Sequence, residues 1–154
     1  MRLYLVQHGL AASEEQDPLR PLTPEGRSEV LRVAAYAARL KLDPARILHS
    51  GKLRAQETAE LFAAALNPSG GISVLEGLGP NDPPEATAKA LASFRAPAML
   101  VGHLPHLSKL AGLLVTGDSS REIIAFKNAA LNALQRSGNA WRMAWILSPE
   151  LLLA

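Results

Sequence analysis

Three histidines follow short apolar segments of the sequence, at the positions where buried strands would end. The segments are RLYLV at 2–6, RIL at 46–48 and AMLV at 98–101. His8, His49 and His103 follow them within two residues. A neutral imidazole is a nucleophile, and a protonated one stabilises negatively charged oxygens. Because ligands bind in open α/β sheets beyond the carboxyl ends of the strands, we expect these imidazoles to meet at one edge of a sheet.

Arg54 adds a positive charge on the helix that is predicted to follow the second segment in the chain. Positions 54, 58, 61 and 65 fall on one face of that helix, so Arg54 points the same way as its apolar stripe. A guanidinium buried without a partner is costly, and its rigid fork of donors suits phosphate. A further helix would begin just after Leu104, and its free backbone N–H groups favour an anion, so Leu104 is a candidate phosphate-binding residue. The sequence therefore predicts a phosphate pocket.

The two imidazoles of this pocket suit different roles. Free histidine has a pKa of about 6.5, so the surroundings decide which form each adopts. We expect His8 to be neutral and to carry the phosphoryl group, and His103 to be biased toward its charged form by bound phosphate. Simpler interpretations stay open, because either histidine could be a structural core residue and Arg54 could pair with a carboxylate.

The spacing HLPH at 103–106 is a weak signal for a metal site. A proline lies between the two histidines and no acidic ligand is near, so no metal and no other cofactor is expected. His49 and His106 are expected to lie behind the pocket or to face solvent. No G-x-G-x-x-G sequence follows a strand, which argues against a nucleotide loop.

Helices are predicted behind each strand that ends in a candidate residue. Thr23 can cap the first helix with Pro24 at its opening position. Ser50 can cap the second, residues 83–95 read as a third, and Pro105 opens a fourth.

The end of the chain predicts a hairpin, because ALNALQR at 130–136 and WRMAWIL at 141–147 flank the turn SGNA. Alternating strands and helices indicate an α/β fold, a three-layer sandwich whose mostly parallel central sheet has helices on both faces. A single domain is expected over residues 1–154.

Composition excludes several kinds of chemistry. The chain has 154 residues, no cysteine and a formal net charge of +2. Disulfides, zinc–thiolate sites and thiol nucleophiles are therefore excluded. No concentrated basic run suggests nucleic acid as a partner, and no segment is long enough to cross a bilayer. A cytoplasmic location with neither nucleic acid nor membrane as a partner is expected.

Four segments together resemble the histidine phosphatase superfamily, most closely its short SixA-type phosphohistidine phosphatases. They are QHG at 7–9, RPLTPEGRSEV at 20–30, ILHSGKLRAQETA at 47–59 and MLVGHLPHLSKL at 99–110. The resemblance implies a phosphoglycerate-mutase-like fold and a phosphatase that needs no metal. It also implies that His8 is the nucleophile, that Arg54 and His103 bind phosphate, and that Arg20 approaches the site.

Gln7 departs from the family pattern, in which the first motif reads Arg-His-Gly. Its amide offers a donor without charge, and a neutral hydrogen bond is worth roughly half to a third of the ~1.5–3 kcal/mol of a charge-assisted one. Losing that difference in the transition state would slow catalysis roughly tenfold. Lys52, Lys109 or Lys127 could supply the missing charge. A working phosphatase, a slow one and a non-catalytic phosphate binder all remain open.

The sequence favours a phosphohistidine phosphatase with a covalent phospho-His8 intermediate. No inserted segment closes over the site, which suits a phosphorylated protein such as a histidine-containing phosphotransfer domain. Glu76 and Asp82 are candidate acids by position alone, and an imidazole leaving group needs less help than an alkoxide. The alternatives are a general phosphomonoesterase acting on a small phosphate ester, and a catalytically weakened pseudophosphatase that binds phosphorylated partners.

Overall fold

A computed structural model describes residues 1–152, which form six strands, four α-helices and a short 3-10 helix. In chain order these are β1 (Arg2–Gln7), α1 (Pro24–Arg39), β2 (Arg46–His49), α2 (Leu53–Leu66), β3 (Ile72–Val74), α3 (Pro84–Ala92), β4 (Ala98–Gly102), α4 (His106–Thr116), β5 (Leu131–Ser137), β6 (Ala140–Leu147) and the 3-10 helix Pro149–Leu152. The last two residues of the predicted domain lie outside the described residues. Within the described part, no helix has both the length and the apolar character needed to cross a membrane.

The strands form one sheet in the order β3-β2-β4-β1-β5-β6. The first four are parallel, and β5 and β6 are the predicted antiparallel hairpin at one side. Val101 of β4 is level with Val6 of β1 on one side and with His49 of β2 on the other. The three strands therefore end together, and the residues that follow them meet at one edge of the sheet.

Both faces of the sheet are covered, which confirms the predicted three-layer sandwich. Tyr4 and Val6 of β1 pack with α1 and α2, whereas Leu3 and Leu5 of the same strand pack with α3 and α4. A strand buried on both faces needs apolar residues at every position rather than at alternate ones. This explains why residues 3–6 of this strand are apolar without alternation.

Helix α1 begins directly on the segment that follows β1. Thr23 caps it as predicted, since its Oγ1 accepts from the N–H of Gly26 at 2.9 Å. A Cβ on Gly26 would lie 2.1 Å from the carbonyl oxygen of Leu10, and one on Gly9 would lie 2.7 Å from Cγ2 of Val30. Only glycine at these two positions allows the helix to approach so closely, and the contact fixes the path of the chain just after His8.

Three details of the prediction are wrong. Strand β3 was not expected, because its three residues are exposed at the edge of the sheet and carry no burial pattern. Ser50 does not cap α2, since Lys52 occupies the capping position and no side chain bonds the first turn there. Ala65 is exposed, because the buried residues of α2 end at Phe62.

Candidate active site

His8 and His103 face each other at the carboxyl edge of the sheet. Their ring centroids are 5.0 Å apart and their planes are inclined at 52°. The backbone N–H of His8 donates to the carbonyl of Gly102 at 3.0 Å, so the ends of β1 and β4 are tied together. Both rings are buried, with 9% and 2% of their surface exposed. A small group placed between them would contact both imidazoles.

The tautomer of His8 is set by its own loop. Its Nδ1 lies 2.7 Å from the carbonyl oxygen of Gly9, and because a carbonyl can only accept, Nδ1 carries the proton. The lone pair is then on Nε2. Burial lowers the pKa of His8 to about 4, opposed by the bond to Gly9 and assisted by the charges of Arg54 and Arg20. The ring is therefore neutral near pH 7, which is the form a nucleophile needs.

Two side chains hold the backbone on either side of the His8 ring. Thr58, which is fully buried, accepts from the N–H of Gly9 at 2.9 Å and donates to the carbonyl of Arg54 at 2.8 Å. Asn128 donates its amide to the carbonyl of His8 at 2.8 Å. Thr58 thus connects the His8 loop to the first turn of α2, from which the Arg54 side chain extends.

Arg54 has no carboxylate partner among the described residues. The two ion pairs found there are Arg121–Asp118 and Lys127–Glu150. The Nε of Arg54 is buried and has no hydrogen-bond partner within residues 1–152. Burial lowers its pKa, and the nearby charge of Arg20 does so further, while Glu14 opposes the shift. The interpretation of Arg54 as one half of a salt bridge is therefore wrong.

His103 is connected to the loop between β2 and α2. Its Nε2 lies 2.6 Å from Oγ of Ser50, whereas its Nδ1 is buried without a partner in the described residues. Burial lowers the pKa of His103 to about 3, and the neighbouring His8, Arg54 and Lys52 add to the effect. In this arrangement the ring is neutral, so a charged His103 requires a bound anion. The predicted bias toward the charged form stays a prediction.

Arg20 enters from the long loop between β1 and α1. Its backbone is in the left-handed region, with φ of 50°, and its Nε donates to the carbonyl of Ala12 at 2.9 Å. Its charge lowers the pKa of both His8 and Arg54. Arg20 thus lies within electrostatic range of these two residues, and its predicted contact with phosphate stays a prediction.

Gln7 and Leu104 flank the two imidazoles in the chain. Gln7 ends β1 opposite Gly102, and its Oε1 is buried without a partner in the described residues. Leu104 follows His103 in the loop before α4, and its side chain is 39% exposed. Their predicted contacts with phosphate stay predictions.

His49 and His106 do not face solvent. His49 is 5% exposed and its Nδ1 accepts from the N–H of Gly51 at 3.1 Å. His106 is fully buried and its Nε2 lies 3.1 Å from Oγ1 of Thr87. Of the two places expected for them, exposure to solvent is therefore wrong for both. The described residues contain no group of three or more histidine and carboxylate side chains that could hold a metal ion.

Sequence reasoning missed the supporting roles of Ser50, Thr58 and Asn128. Ser50 was expected to cap a helix and Thr58 to belong to a buried stripe, because both interpretations use local spacing only. Their actual partners are 53 and 49 residues away. No local pattern marks Asn128, whose partner His8 is 120 residues away.

A groove of about 560 Å³ opens beside the Ser50–His103 pair. It is lined by residues of two loops, namely Ser50, Gly51, Lys52, Gly79, Pro80, Asn81 and Asp82. The carboxylate of Asp82 accepts from the N–H of Gly79 at 2.8 Å, whereas the other candidate acid, Glu76, is exposed. Of the two, only Asp82 lines the groove.

Known proteins are similar to this chain in sequence and in fold. A family model described as the histidine phosphatase superfamily, branch 1, matches residues 3–79. An uncharacterized protein from Picosynechococcus sp. is 36% identical, over 91% of this chain and 87% of its own length. Phosphohistidine phosphatase SixA from Escherichia coli is 29% identical, over 97% of this chain and 94% of its own. A structure of the protein histidine phosphatase SixA complexed with tungstate matches with a TM-score of 0.88 at 26% identity, over 99% of this chain and 100% of that one.

Proposed function

The chain belongs to the histidine phosphatase superfamily, and on that premise we propose that it removes phosphate from protein phosphohistidine through a phospho-His8 intermediate. One observation carries the proposal: the lone pair of the neutral His8 ring is on Nε2, in a ring 5.0 Å from that of His103. The charge of Arg54, which has no carboxylate partner within residues 1–152, acts on both rings. These groups are a nucleophile, a proton-binding ring and a cation, which suffice for transfer of a phosphoryl group.

In the first step Nε2 of His8 attacks phosphorus. The P–N bond of the substrate breaks as the P–Nε2 bond forms, and the leaving imidazole takes a proton from water. Arg54 and His103 bind the equatorial oxygens, over which negative charge spreads. The dianion raises the pKa of His103, so that this ring gains its proton as the phosphoryl group binds.

In the second step water attacks the phosphorus of phospho-His8. The P–Nε2 bond breaks, the phosphoryl group leaves as phosphate with the elements of water, and the lone pair returns to Nε2. The proton stays on Nδ1 throughout, donated in a hydrogen bond to the carbonyl of Gly9. Thr58 and Asn128 keep the backbone of His8 in place while the ring changes charge.

Exposed leucines that adjoin the site residues in the chain support a protein substrate. Leu19, next to Arg20, is 70% exposed, and Leu104, next to His103, is 39% exposed. Leu10, which follows the His8–Gly9 pair, is 38% exposed. A folded protein that presents its phosphohistidine to the pocket would cover these leucines, whereas a small ester would leave them in water.

Asp82 favours a second candidate function, a general phosphomonoesterase. An alkoxide leaving group needs an acid, and Asp82 lines the groove beside Ser50. If esters are the substrates, Asp82→Asn lowers their hydrolysis by ten-fold or more, on the order of the contribution of a general acid. A phosphohistidine substrate is affected little, because its imidazole leaving group accepts a proton near neutral pH.

The test compares a phosphorylated histidine-containing phosphotransfer domain with a panel of phosphate esters. We expect the higher kcat/KM for the phosphoprotein and acid-labile labelling of the enzyme at His8. In His8→Asn the side-chain amide can still donate to the carbonyl of Gly9, yet activity should fall by at least about 10³-fold with loss of the label. A higher kcat/KM for an ester would indicate the phosphomonoesterase. Binding of the phosphoprotein with neither turnover nor label would indicate the pseudophosphatase.

A further inference from the structure

The pocket has an uneven distribution of charge. His8 and His103 are neutral near pH 7, because their pKa values lie at about 4 and about 3. Arg20 and Arg54 are the cations that act on His8. Gln7 is neutral and lies level with Gly102, the residue before His103. The side of the pocket formed by the end of β4 therefore lacks a charged residue of its own.

Lys52 is the residue before α2 and lines the groove that opens beside Ser50. Gly51, with φ of +90°, turns the chain so that the backbone N–H of Lys52 donates to Oγ of Ser50 at 3.3 Å. The same oxygen lies 2.6 Å from Nε2 of His103. Lys52 and Ser50 line one groove, and the charge of Lys52 acts on the His103 ring.

The other lysines named as replacements are placed less well. Lys127 pairs with Glu150, so its charge is neutralised. Lys109 is exposed on α4, and its charge is not one of those that act on His103. Lys52 takes part in neither of the ion pairs found within residues 1–152. Its ammonium is thus available to a ligand.

We propose that Lys52 supplies the positive charge that Gln7 lacks, by binding a phosphoryl oxygen on the His103 side of the pocket. This inference rests on the proposed function, because it assumes that a phosphoryl group binds between His8 and His103. A lysine ammonium is a mobile point charge, in contrast to the planar fork of an arginine. It therefore supplies attraction with little geometric constraint.

A double-mutant cycle tests the inference with tungstate as the probe. Lys52→Gln should weaken tungstate binding about tenfold, the typical difference between a charge-assisted and a neutral contact, and Lys52→Arg should retain it. Lys89→Gln removes the same charge from the exposed surface of α3 and serves as the matched control, with affinity unchanged. In a Gln7→Arg background, the loss caused by Lys52→Gln should shrink to about twofold, because the new arginine supplies the charge.

Two results overturn the inference. One is an equal tungstate affinity in Lys52→Gln and Lys89→Gln. The other is a loss in Lys52→Gln that is as large with Arg at position 7 as with Gln, because Lys52 then acts independently of that position.

Failure of the proposed function gives a different result. Tungstate binding needs no turnover, so the cycle can be measured even if neither the phosphoprotein nor the esters are hydrolysed. An inactive protein that shows the expected cycle refutes hydrolysis and supports Lys52 as an oxyanion ligand. An active protein without the cycle refutes the role of Lys52 alone.

Discussion

Arg54 and Arg136 lie at opposite ends of the sheet and illustrate two uses of a partly buried guanidinium. Arg136, on β5, donates from Nη1 to the carbonyl of Leu91 at 3.0 Å and from Nη2 to that of Phe94 at 2.6 Å. It also lies over the ring of Trp141, 5.4 Å from its centroid. Arg54 has neither a carboxylate partner nor a hydrogen bond at its Nε within residues 1–152.

The difference separates a structural arginine from a ligand-binding one. The carbonyls at the end of α3 give Arg136 a complete role within the fold, where a cation is favourable near the end of a helix. Arg54 costs free energy in the protein alone, because a buried donor without a partner is penalised by about 1–3 kcal/mol. Such a cost is typical of functional sites, where a ligand provides the missing partner.

Matched substitutions of the two arginines give the largest expected contrast. Arg54→Met removes a phosphate ligand, so kcat/KM should fall by about 10²–10³-fold while the free energy of unfolding stays equal or rises. Arg136→Met removes two hydrogen bonds from a charged group, so the free energy of unfolding should fall by about 1.5–3 kcal/mol with kcat/KM retained. Steady-state kinetics and urea denaturation measure both quantities. The distinction between a ligand-binding and a structural arginine is contradicted if Arg54→Met is the less stable variant, or if Arg136→Met is the less active one.

The sequence was sufficient to predict the four α-helices, five of the six strands that the described residues form, and the edge of the sheet at which the site residues converge. The apolar segments before His8, His49 and His103 predicted buried parallel strands. The capping residue Thr23, followed by Pro24, predicted the start of α1. These signals depend on neighbours in the chain. Such local signals can therefore be recognised in one sequence alone.

The polar contacts of the site could not be predicted in the same way. Whether Arg54 pairs with a carboxylate depends on every loop that reaches it, and no loop is specified by local spacing. Ser50 looks like a helix cap in the sequence, but its hydroxyl bonds His103 from the neighbouring strand. Strand β3 was missed because an exposed edge strand of three residues has no apolar pattern.

The free energy of unfolding should depend on pH because of the two imidazoles at the carboxyl edge of the sheet. The pKa values of His8 and His103 are lowered in the folded state to about 4 and about 3. Between those values and about 6.5, the unfolded chain binds protons that the folded one does not, so the free energy of unfolding falls as the pH falls. Each histidine contributes up to about 1.4 kcal/mol per pH unit. Urea denaturation from pH 7.5 to 4.5 measures the slope.

Two variants separate this effect from general loss of stability. His103→Asn removes one of the groups responsible, so it should flatten the curve. Arg136→Met should lower the whole curve with its slope unchanged. A curve for His103→Asn that is as steep as that of the native protein would contradict the assignment of this ring as neutral in the folded state.

The smallest expected effect is a change in kcat that distinguishes two threonines. The hydroxyl of each donates to the carbonyl four residues earlier in its helix. Thr58 donates to the carbonyl of Arg54 at 2.8 Å, and Thr116, at the far end of α4, donates to that of Gly112 at 2.7 Å. Only Thr58 also accepts from Gly9, beside His8. Thr58→Val should therefore lower kcat about fivefold, because the lost hydrogen bond to Gly9, worth about 1 kcal/mol, positions His8 relative to Arg54. Thr116→Val should leave kcat unchanged.

Thr58→Ser distinguishes positioning from packing, because it keeps the hydroxyl and removes only a methyl group. If the hydroxyl positions His8, Thr58→Ser restores kcat even though it lacks the methyl group, and KM for the phosphoprotein changes little in either variant. If Thr58 only fills space, Thr58→Val is the more active of the two, since valine retains the shape of threonine. The rate of single-turnover labelling of His8, measured well below the unfolding temperature, should rank the Thr58 variants in the same order as kcat, without interference from partial unfolding.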